Sequence, residues 1–390
     1  MASIPVIHTS SEFREEFFER GGENAARCYQ CATCSSVCEL APANAPFPRR
    51  QILWAQWGLA DRLIADPGPW LCHQCNDCSV RCPREVNPGD MMAVARAMVV
   101  ERLATPAFLG RLVGNVKKTW PILIFGPLLF WIILLGATGA TFPGVNHDLG
   151  ALDGRFHYEA FVPHSLIYIT YFSATIFVLL TLGSSGRRFW KMLATSQERH
   201  GSFFGALAPS LIDIGTHKKF SSCDRGVPKR RWGHFLVMWG FVGAAVTSGF
   251  AILYLYRETV FFSWLHLGYD YPVPLTHWVK WLGNTSAVLL IVGGLLLWLN
   301  RRSTGDKLVG MTTAFDRFFL WVVLGVIATG VLTEIFRFTP VPPVVACSVY
   351  VVHLGIVLTL FLTLPYSKFA HILYRTLAMV HERMTTQEVD

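Results

Sequence analysis

The sequence from Pro343 to Tyr366, PVVACSVYVVHLGIVLTLFLTLPY, contains no charged residue and decides the fold class. An α-helix rises about 1.5 Å per residue, so a run of this length crosses a hydrocarbon core about 30 Å thick. Five similar runs precede it, and six in series leave too little polar sequence to cover them in a soluble protein. We predict an all-α protein with six membrane spans, at residues 120–142, 161–183, 233–256, 276–300, 315–338 and 343–366.

The charged residues predict the orientation of these spans. The 390 residues are 52% hydrophobic and 15% charged, whereas soluble domains carry about 25% charged residues. Lys and Arg concentrate in residues 183–232, in the link after span four and in the C-terminal tail, and short cytoplasmic loops are enriched in both. We predict a lipid-embedded, multi-pass protein of the cell's inner (cytoplasmic) membrane, with both termini cytoplasmic. The net charge of +8 is then explained by topology, and nucleic acid is not a predicted partner.

Eight of the ten cysteines lie between Cys28 and Cys82, in two copies of the spacing C-x2-C-x2-C-x3-C. The N-terminus lacks the apolar stretch of a secretory signal, so we expect a reducing compartment rather than a disulfide scaffold. Three thiolates of such a run bind one [4Fe–4S] cluster, and the fourth binds the neighbouring cluster. The predicted ligand sets are therefore crossed: Cys28, Cys31, Cys34 and Cys82 for cluster 1, and Cys38, Cys72, Cys75 and Cys78 for cluster 2.

Paired zinc sites are the alternative to two clusters, but these usually draw on separated C-x2-C pairs rather than a tight triple. One departure from the bacterial ferredoxin pattern is that Cys38 is followed by Glu39 instead of proline. Helices predicted at residues 49–61 and 90–103 would pack across the clusters and exclude water. These elements form a ferredoxin-like, α-helical iron–sulfur domain at residues 1–110, followed by a membrane domain at 111–390. The two isolated cysteines, expected to be buried and inert, are Cys223 and Cys347.

Two histidines are spaced for stacked haems. His353 and His371 are 18 residues apart, and at 100° per residue this is five whole turns, which puts both on one helix face about 27 Å apart. A histidine inside a bilayer is costly unless it is paired or ligating, so both are ligand candidates. The simpler alternative is one histidine that packs between helices and another at the membrane interface.

The stretch from His353 to His371, with Pro-Tyr-Ser-Lys within it, resembles the last membrane helix of the respiratory nitrate reductase gamma subunit family. In that family, two histidines at this spacing each bind a haem b. RRWGHFLVMWGF around His234 is similar to the family's second helix, which supplies the partner histidines. The resemblance implies that His234 and His371 bind one haem b near the cytoplasmic face, in a six-helix cytochrome b bundle.

The partner of His353 stays open, because the family's further histidine corresponds to Ala244 here. His164 in span two ranks slightly ahead of His277 at the start of span four, and His217 is a third candidate. The histidines expected to be ordinary solvated residues are His73, His147, His157 and His266.

A quinone site needs ionisable groups beside a haem to move protons. Lys280, Glu334 and Arg337 lie in the outer parts of spans four and five, near the expected depth of His164 and His277. The simpler interpretation is that Glu334 and Arg337 form an i,i+3 ion pair at a helix end.

The order of the two parts, a cluster domain similar to the small iron–sulfur subunit of heterodisulfide reductase fused to six spans, resembles the membrane component of the quinone-interacting membrane-bound oxidoreductase (Qmo) complexes of sulfate-reducing microbes, the QmoC family. This resemblance implies electron transfer between menaquinone and two flavin-containing, iron–sulfur partners similar to the flavin-bearing component of heterodisulfide reductase, with adenylylsulfate reductase downstream. The sequence has no G-x-G-x-x-G turn for a flavin or nicotinamide. We therefore expect the quinone-interacting subunit of an oxidoreductase, without a complete catalytic site for a soluble substrate.

Two other functions fit part of the pattern. One is a membrane component of a heterodisulfide- or nitrate-reductase-like complex, and co-purifying partners would distinguish it. The other, from a different class, is a transporter or sensor with a cysteine-rich metal-binding domain. Absence of a haem b absorption band and of about eight irons per chain would favour that class.

Overall fold

A computed structural model describes residues 7–41, 46–138, 156–194, 199–217, 228–255, 274–303, 310 and 313–385. Within these ranges the regular elements are helices and no strand occurs, so the predicted all-α class is confirmed. The cysteine-rich part contains α1 (Ser11–Phe17), α2 (Thr33–Ser36), α3 (Arg49–Gln56), α4 (Ala60–Ile64), α5 (Gly68–Leu71), α6 (Asp77–Val80), α7 (Pro88–Leu103) and α8 (Ala107–Gly114).

Six of the later helices are long and apolar enough to cross a membrane, which confirms the predicted number of spans. They are α9 (Val116–Ala137), α11 (His164–Ala194), α13 (Pro228–Leu255), α14 (Trp278–Ser303), α15 (Ala314–Phe338) and α16 (Pro343–Thr363). The shorter helices of this part are α10 (Tyr158–Phe161), α12 (Phe203–Thr216) and α17 (His371–Thr385). The predicted ends of spans one and three, Phe142 and Tyr256, lie outside the described residues.

The second span is longer than predicted. Hydropathy ends it near Gly183, but α11 continues as a helix to Ala194. Phe189 and Leu193 on this extension are fully buried against the cysteine-rich part. The extension is therefore stabilised by tertiary packing, which a hydropathy window does not detect.

The single helix predicted at residues 49–61 is wrong, because the chain breaks between α3 and α4. Gly58 has a left-handed φ of 67°, and its carbonyl accepts a hydrogen bond of 3.0 Å from the Ser10 amide. A Cβ atom at this position would lie 2.2 Å from the Ser10 carbonyl oxygen. Glycine is thus required where the N-terminal segment crosses this turn.

One hydrophobic core joins the two ends of the chain. Trp70 of α5 packs against Tyr374 of α17 and Phe189 of α11, and all three are buried. The predicted domain boundary after residue 110 falls inside α8, and residues on both sides of it contribute to this core.

The last span, α16, lies at the centre of the bundle. Its Thr359 hydroxyl donates to the Leu123 carbonyl of α9 at 3.0 Å, and Tyr171 of α11 donates to its Leu354 carbonyl at 2.6 Å. His353 therefore lies inside the bundle. We call the span ends near the cysteine-rich part the cluster side and the opposite ends the far side. Gly310, in the link between α14 and α15, is on the cluster side because it lies against Asn76.

Candidate electron-transfer centres

The cysteines of the two runs lie close together in space. Cys34 interacts electrostatically with Cys28, Cys31 and Cys82, so that one member of the second run lies beside the first triple. Cys38 interacts with Cys72 and Cys75, and also with Cys34 of its own run. A cavity near α6 and α7 is lined by the complete second set, Cys38, Cys72, Cys75 and Cys78. The crossed ligand sets stay a prediction.

The backbone of each run is wound in the same unusual way. The residues on either side of the second cysteine are left-handed in both copies: Gln30 and Ala32 in the first, Gln74 and Asn76 in the second, with φ between 53° and 69°. A non-glycine residue in this region costs about 1 kcal/mol or more. The same cost occurs at equivalent positions of both runs, which indicates that this backbone conformation serves to bind a ligand. The conformation places the three cysteines of a run around one centre.

The grouped thiols fit the positively charged iron–sulfur core of a cluster better than they fit each other. Burial and the neighbouring thiols Cys28 and Cys82 raise the pKa of Cys34 to about 11, and burial raises the pKa of Cys38 to about 11 as well. Thiolates grouped in this way need positive charge among them. In the described part of the chain, no three His, Cys, Asp or Glu side chains lie close enough together to hold one metal ion.

The two groups differ in exposure. Cys31 is exposed, and its sulfur lies 3.3 Å from the Thr33 hydroxyl. Cys72 is buried, and the Gln74 amide donates to its sulfur at 3.3 Å. Each set thus contains one buried cysteine, Cys34 in the first and Cys72 in the second, and the exposed Cys31 belongs to the first set.

Three arginines hold the loop of the second set by its backbone. Arg96 of α7 donates to the Cys72 carbonyl at 3.3 Å and to the Gln74 side chain at 2.7 Å. Arg230 of α13 donates to the Gln74 carbonyl at 2.6 Å and to the His73 carbonyl. Arg375 of α17 donates to the Cys72 carbonyl at 3.4 Å and to His73 Nδ1 at 2.8 Å. Burial, with Arg96 nearby, lowers the pKa of Arg375 to about 10.

His73 was expected to be solvated, and that expectation is wrong. It is only 5% exposed, since it is enclosed between the cysteine loop and α17. The two arginines that contact it, Arg230 and Arg375, lie 157 and 302 positions later in the chain, so no local pattern reveals this burial.

The structure brings His234 and His371 together on the cluster side. Their ring centroids are 5.9 Å apart, with 70° between the ring planes. Metal–imidazole bonds are about 2 Å, so an iron between two ligating rings needs roughly this separation. Burial lowers the pKa of His371 to about 4, which keeps its ring in the neutral form that binds metals.

Both rings also contact a neighbouring group through the same nitrogen. His371 Nδ1 lies against the Lys368 carbonyl, and His234 Nδ1 is 2.8 Å from Nε2 of His217. Metal-binding histidines usually engage their second nitrogen in this manner. The Nδ1 atoms of both rings are therefore engaged within the protein. His217, considered above as a partner of His353, instead contacts His234.

His353 lies ten residues into α16, so it is near the middle of the bundle. Its Nδ1 is 2.9 Å from the Thr329 hydroxyl, and its ring faces Gly330 of α15, where an added Cβ would lie 3.1 Å from Cε1. The glycine leaves room beside the ring. Neither of these two neighbours is a histidine.

The two candidate partners of His353 are at the far side. His164 is the first residue of α11 and its ring stacks with Tyr168 at 6.2 Å between centroids. His277 directly precedes α14, and its Nε2 is 3.2 Å from the Tyr254 hydroxyl. By helix rise, His353 is about 15 Å deeper than the start of its own helix, so it is about that much deeper than either candidate.

The far side also contains the ionisable residues predicted for a quinone site. Lys280 Nζ is 3.0 Å from Glu334 Oε1, which joins α14 to α15. The side-chain amide of Asn284 lies 3.2 and 3.3 Å from the two Glu334 carboxylate oxygens, so its nitrogen is assigned to that side as the donor. Arg337 faces Glu159 at 3.8 Å, so the alternative of a Glu334–Arg337 pair is replaced by two interhelical pairs.

The other single-residue expectations have mixed outcomes. Cys347 is fully buried, as expected. His157 is not simply solvated, because its Nδ1 is 2.9 Å from Glu159. Cys223, His147 and His266 lie outside the described residues.

Comparisons with known proteins divide the chain in two. The family model described as citrate utilization protein B matches residues 142–389, and the model described as 4Fe-4S dicluster domain matches residues 24–86. Citrate utilization protein B of Escherichia coli is 28% identical over 368 residues, covering 90% of this chain and 88% of that protein. No solved structure matches the chain.

The N-terminal part has relatives of a second kind, the C-type iron–sulfur components of heterodisulfide reductases. One such protein of Archaeoglobus profundus is 38% identical over 87 residues, which cover 22% of this chain and 46% of that protein. The corresponding component of the H(2):CoB-CoM heterodisulfide,ferredoxin reductase of Methanothermobacter thermautotrophicus is 40% identical over 86 residues, again covering 22% and 46%. The predicted resemblance to the small heterodisulfide reductase component is confirmed, whereas the one to the QmoC family stays a prediction.

Proposed function

We propose, on the premise that this chain belongs to the citrate utilization protein B family, that it carries single electrons between a soluble partner and the membrane. The observation that carries the proposal is the contact between the Cys72–Gln74 loop and the two helices that bear His234 and His371. A set of cysteines with cluster spacing and a pair of histidines with haem spacing thus share one interface. Such proximity has no purpose in a transporter with a separate metal domain.

We propose the following roles for the residues of the site. The two cysteine sets would hold two [4Fe–4S] clusters, and His234 with His371 would hold a haem b. These groups supply one-electron chemistry when bound. The protein's own contribution is to fix the ligand nitrogens through His217 and the Lys368 carbonyl and to exclude water with the shared core. His353 would ligate a second haem, with Thr329 orienting its ring.

On the far side, Lys280 and Glu334 would bind and protonate a quinone, with menaquinone as the expected species. Glu334 is in contact with Lys280 and Asn284 and is partly exposed, so it is able to exchange a proton with a head group. Positive-inside charge supports the cluster side as the cytoplasmic side of the inner membrane.

We base the proposed soluble partner on the relative that matches almost the whole chain, citrate utilization protein B of Escherichia coli. That relative is named for citrate utilization and spans nearly the entire chain, so we propose a cytoplasmic flavin-containing dehydrogenase of a carboxylate as the electron donor. Electrons would enter at the set that includes the exposed Cys31 and leave to quinone.

A second candidate rests on the N-terminal matches to the C-type components of heterodisulfide reductases. In this case the partners would be two flavin/iron–sulfur proteins resembling the flavin-bearing component of heterodisulfide reductase, and menaquinol would supply electrons toward adenylylsulfate reductase. The proteins that co-purify with the tagged chain from its native membrane distinguish the two candidates.

The experiment that tests the proposal is a cofactor measurement on the chain purified in detergent. We expect about eight irons and eight acid-labile sulfides, a haem b absorption band in the reduced-minus-oxidised spectrum, and oxidation of that band by a menaquinone analogue. Zinc in place of iron, or no haem band, would overturn it. Haem content of H353A, H164A and H277A, measured separately, identifies the second haem's ligands.

A further inference from the structure

Two of the arginines that contact the second cysteine loop are each four residues away from one histidine of the pair. Arg230 precedes His234 by four residues on α13, and Arg375 follows His371 by four residues on α17. Residues four apart lie on the same face of a helix, one turn from each other. Each histidine-bearing helix therefore extends an arginine from the same face to the loop that carries Cys72 and Cys75.

The bonds of these arginines are directed at the loop backbone. Arg230 and Arg375 donate to the carbonyls of residues 72–74, and Arg375 also donates to His73 Nδ1. Arg96 adds a third guanidinium from α7. Three cations that converge on one loop repel one another, and Glu382 offsets only part of this repulsion at Arg375, whose pKa stays lowered. Such convergence is favourable around an anionic body, which a cubane with four thiolate ligands is.

The first cysteine loop differs in this respect. Arg49 reaches the Gln30 carbonyl at 3.4 Å, and Arg84 reaches the Arg27 carbonyl at 3.5 Å. Arg84 is exposed, so water screens its charge. The two predicted clusters therefore lie in unequal fields, with the stronger positive field at the set next to the histidines.

We infer that Arg230 and Arg375 are positioning residues that hold the Cys72–Cys75 loop against the histidine-bearing helices and make the cluster bound there the more easily reduced of the two. This inference rests on the proposed function. Nearby positive charge stabilises the more negative, reduced form of a cluster, so its potential rises. An electron that enters at the cluster of the set with Cys31 is then more stable on the cluster of the set nearest His371.

The test is an EPR-monitored redox titration of the full chain in detergent, with variants R230Q, R375Q and R375K. We call the cluster proposed at Cys38, Cys72, Cys75 and Cys78 the inner cluster and the other one the outer cluster. The EPR signal that is lost in Cys75→Ser is the signal of the inner cluster. We expect R230Q and R375Q each to lower the midpoint potential of that signal and to leave the other cluster unchanged. R375K, which retains the charge, should stay near the original value. Arg187→Gln is the matched control, because Arg187 is exposed at the end of α11.

Several outcomes decide the inference. Unchanged inner-cluster potentials in both glutamine variants, with the cluster present, would overturn it. Loss of the inner cluster alone, with the outer cluster and haem retained, would support the holding role. If R375Q does not fold, R230Q carries the test, because Arg230 lies outside the shared core. An original protein without two clusters would overturn the proposed function together with this inference, whereas two clusters with unshifted potentials would overturn the inference only.

Discussion

Tyr374 stacks on Trp70, with 4.7 Å between the ring centroids and 20° between the ring planes. One ring comes from the cysteine-rich part and the other from the helix that follows the last span. Phe189 meets the edge of both rings, at 5.1 Å from Tyr374 and 6.2 Å from Trp70. This aromatic cluster fixes the distance between the second cysteine loop and the histidine pair.

Replacing Trp70 should therefore loosen the whole interface. The side chain is 2% exposed, and Trp70→Ala in such a setting costs about 3–5 kcal/mol. We expect a lower thermal unfolding midpoint and faster proteolytic release of the cysteine-rich part from detergent-solubilised protein. Trp57→Ala is the control, since Trp57 is 58% exposed and surface changes usually cost less than about 0.5 kcal/mol. Equal effects of the two variants would contradict the proposed core.

The crossed cysteine sets predict which cluster each fourth cysteine serves. Cys38→Ser should remove the same EPR signal as Cys75→Ser, because Cys38 lies in the cavity with Cys75. Cys82→Ser should remove the same signal as Cys31→Ser. Cys347→Ser, in the membrane part, should leave the iron content unchanged. Loss of one signal in both Cys38→Ser and Cys31→Ser would mean that each run binds its own cluster.

The histidine pair predicts the loss of one haem. His371→Ala and His234→Ala should each halve the haem content if His353 holds a second haem, and should abolish it otherwise. The reduced-minus-oxidised spectrum, scaled to iron, measures this. His200→Ala is the control, because His200 is exposed outside the pair. Full haem content in either variant would refute this ligand assignment.

Replacing His217 should weaken haem binding less than replacing His234 or His371. His217 Nε2 is 2.8 Å from His234 Nδ1, and loss of such a partner typically weakens metal binding about 10–100-fold. We expect His217→Ala to retain haem during purification but to lose it faster to a haem-binding acceptor, and His217→Gln to recover part of the affinity. Complete loss of haem would instead make His217 a ligand.

Disrupting the Lys280–Glu334 pair should impair only the reaction with quinone. Glu334→Gln should slow oxidation of reduced haem by a menaquinone analogue, while haem and iron contents stay unchanged. Glu159→Gln is the matched control, since it removes a carboxylate on the same side that pairs with Arg337 instead. Equal slowing in both variants would point to a general effect of far-side charge.

Local patterns were sufficient for much of the molecule. The six membrane-length helices follow from runs of apolar residues, and the match of the N-terminal part to a 4Fe-4S dicluster domain follows from a fixed cysteine spacing. The pairing of His234 with His371 required a family resemblance, because the two are 137 residues apart and no periodicity links them. Arg230 and Arg375 were missed as functional residues, and His217 was considered only as a partner of His353, because their roles depend on contacts with residues far away in the chain. The break at Gly58 was missed because the residue that crosses it, Ser10, lies outside any local window.

The joint core has a consequence for how a cell makes this protein. Phe13, Trp70 and Met98 leave the ribosome early, but Tyr374 and Ala378, which complete the same core, are translated only after all six spans. The apolar surface of the early segment must stay uncovered, or be shielded by a chaperone, throughout membrane insertion. The core that joins the cysteine-rich part to α17 is therefore completed only at the end of synthesis, when Tyr374 and Ala378 become available.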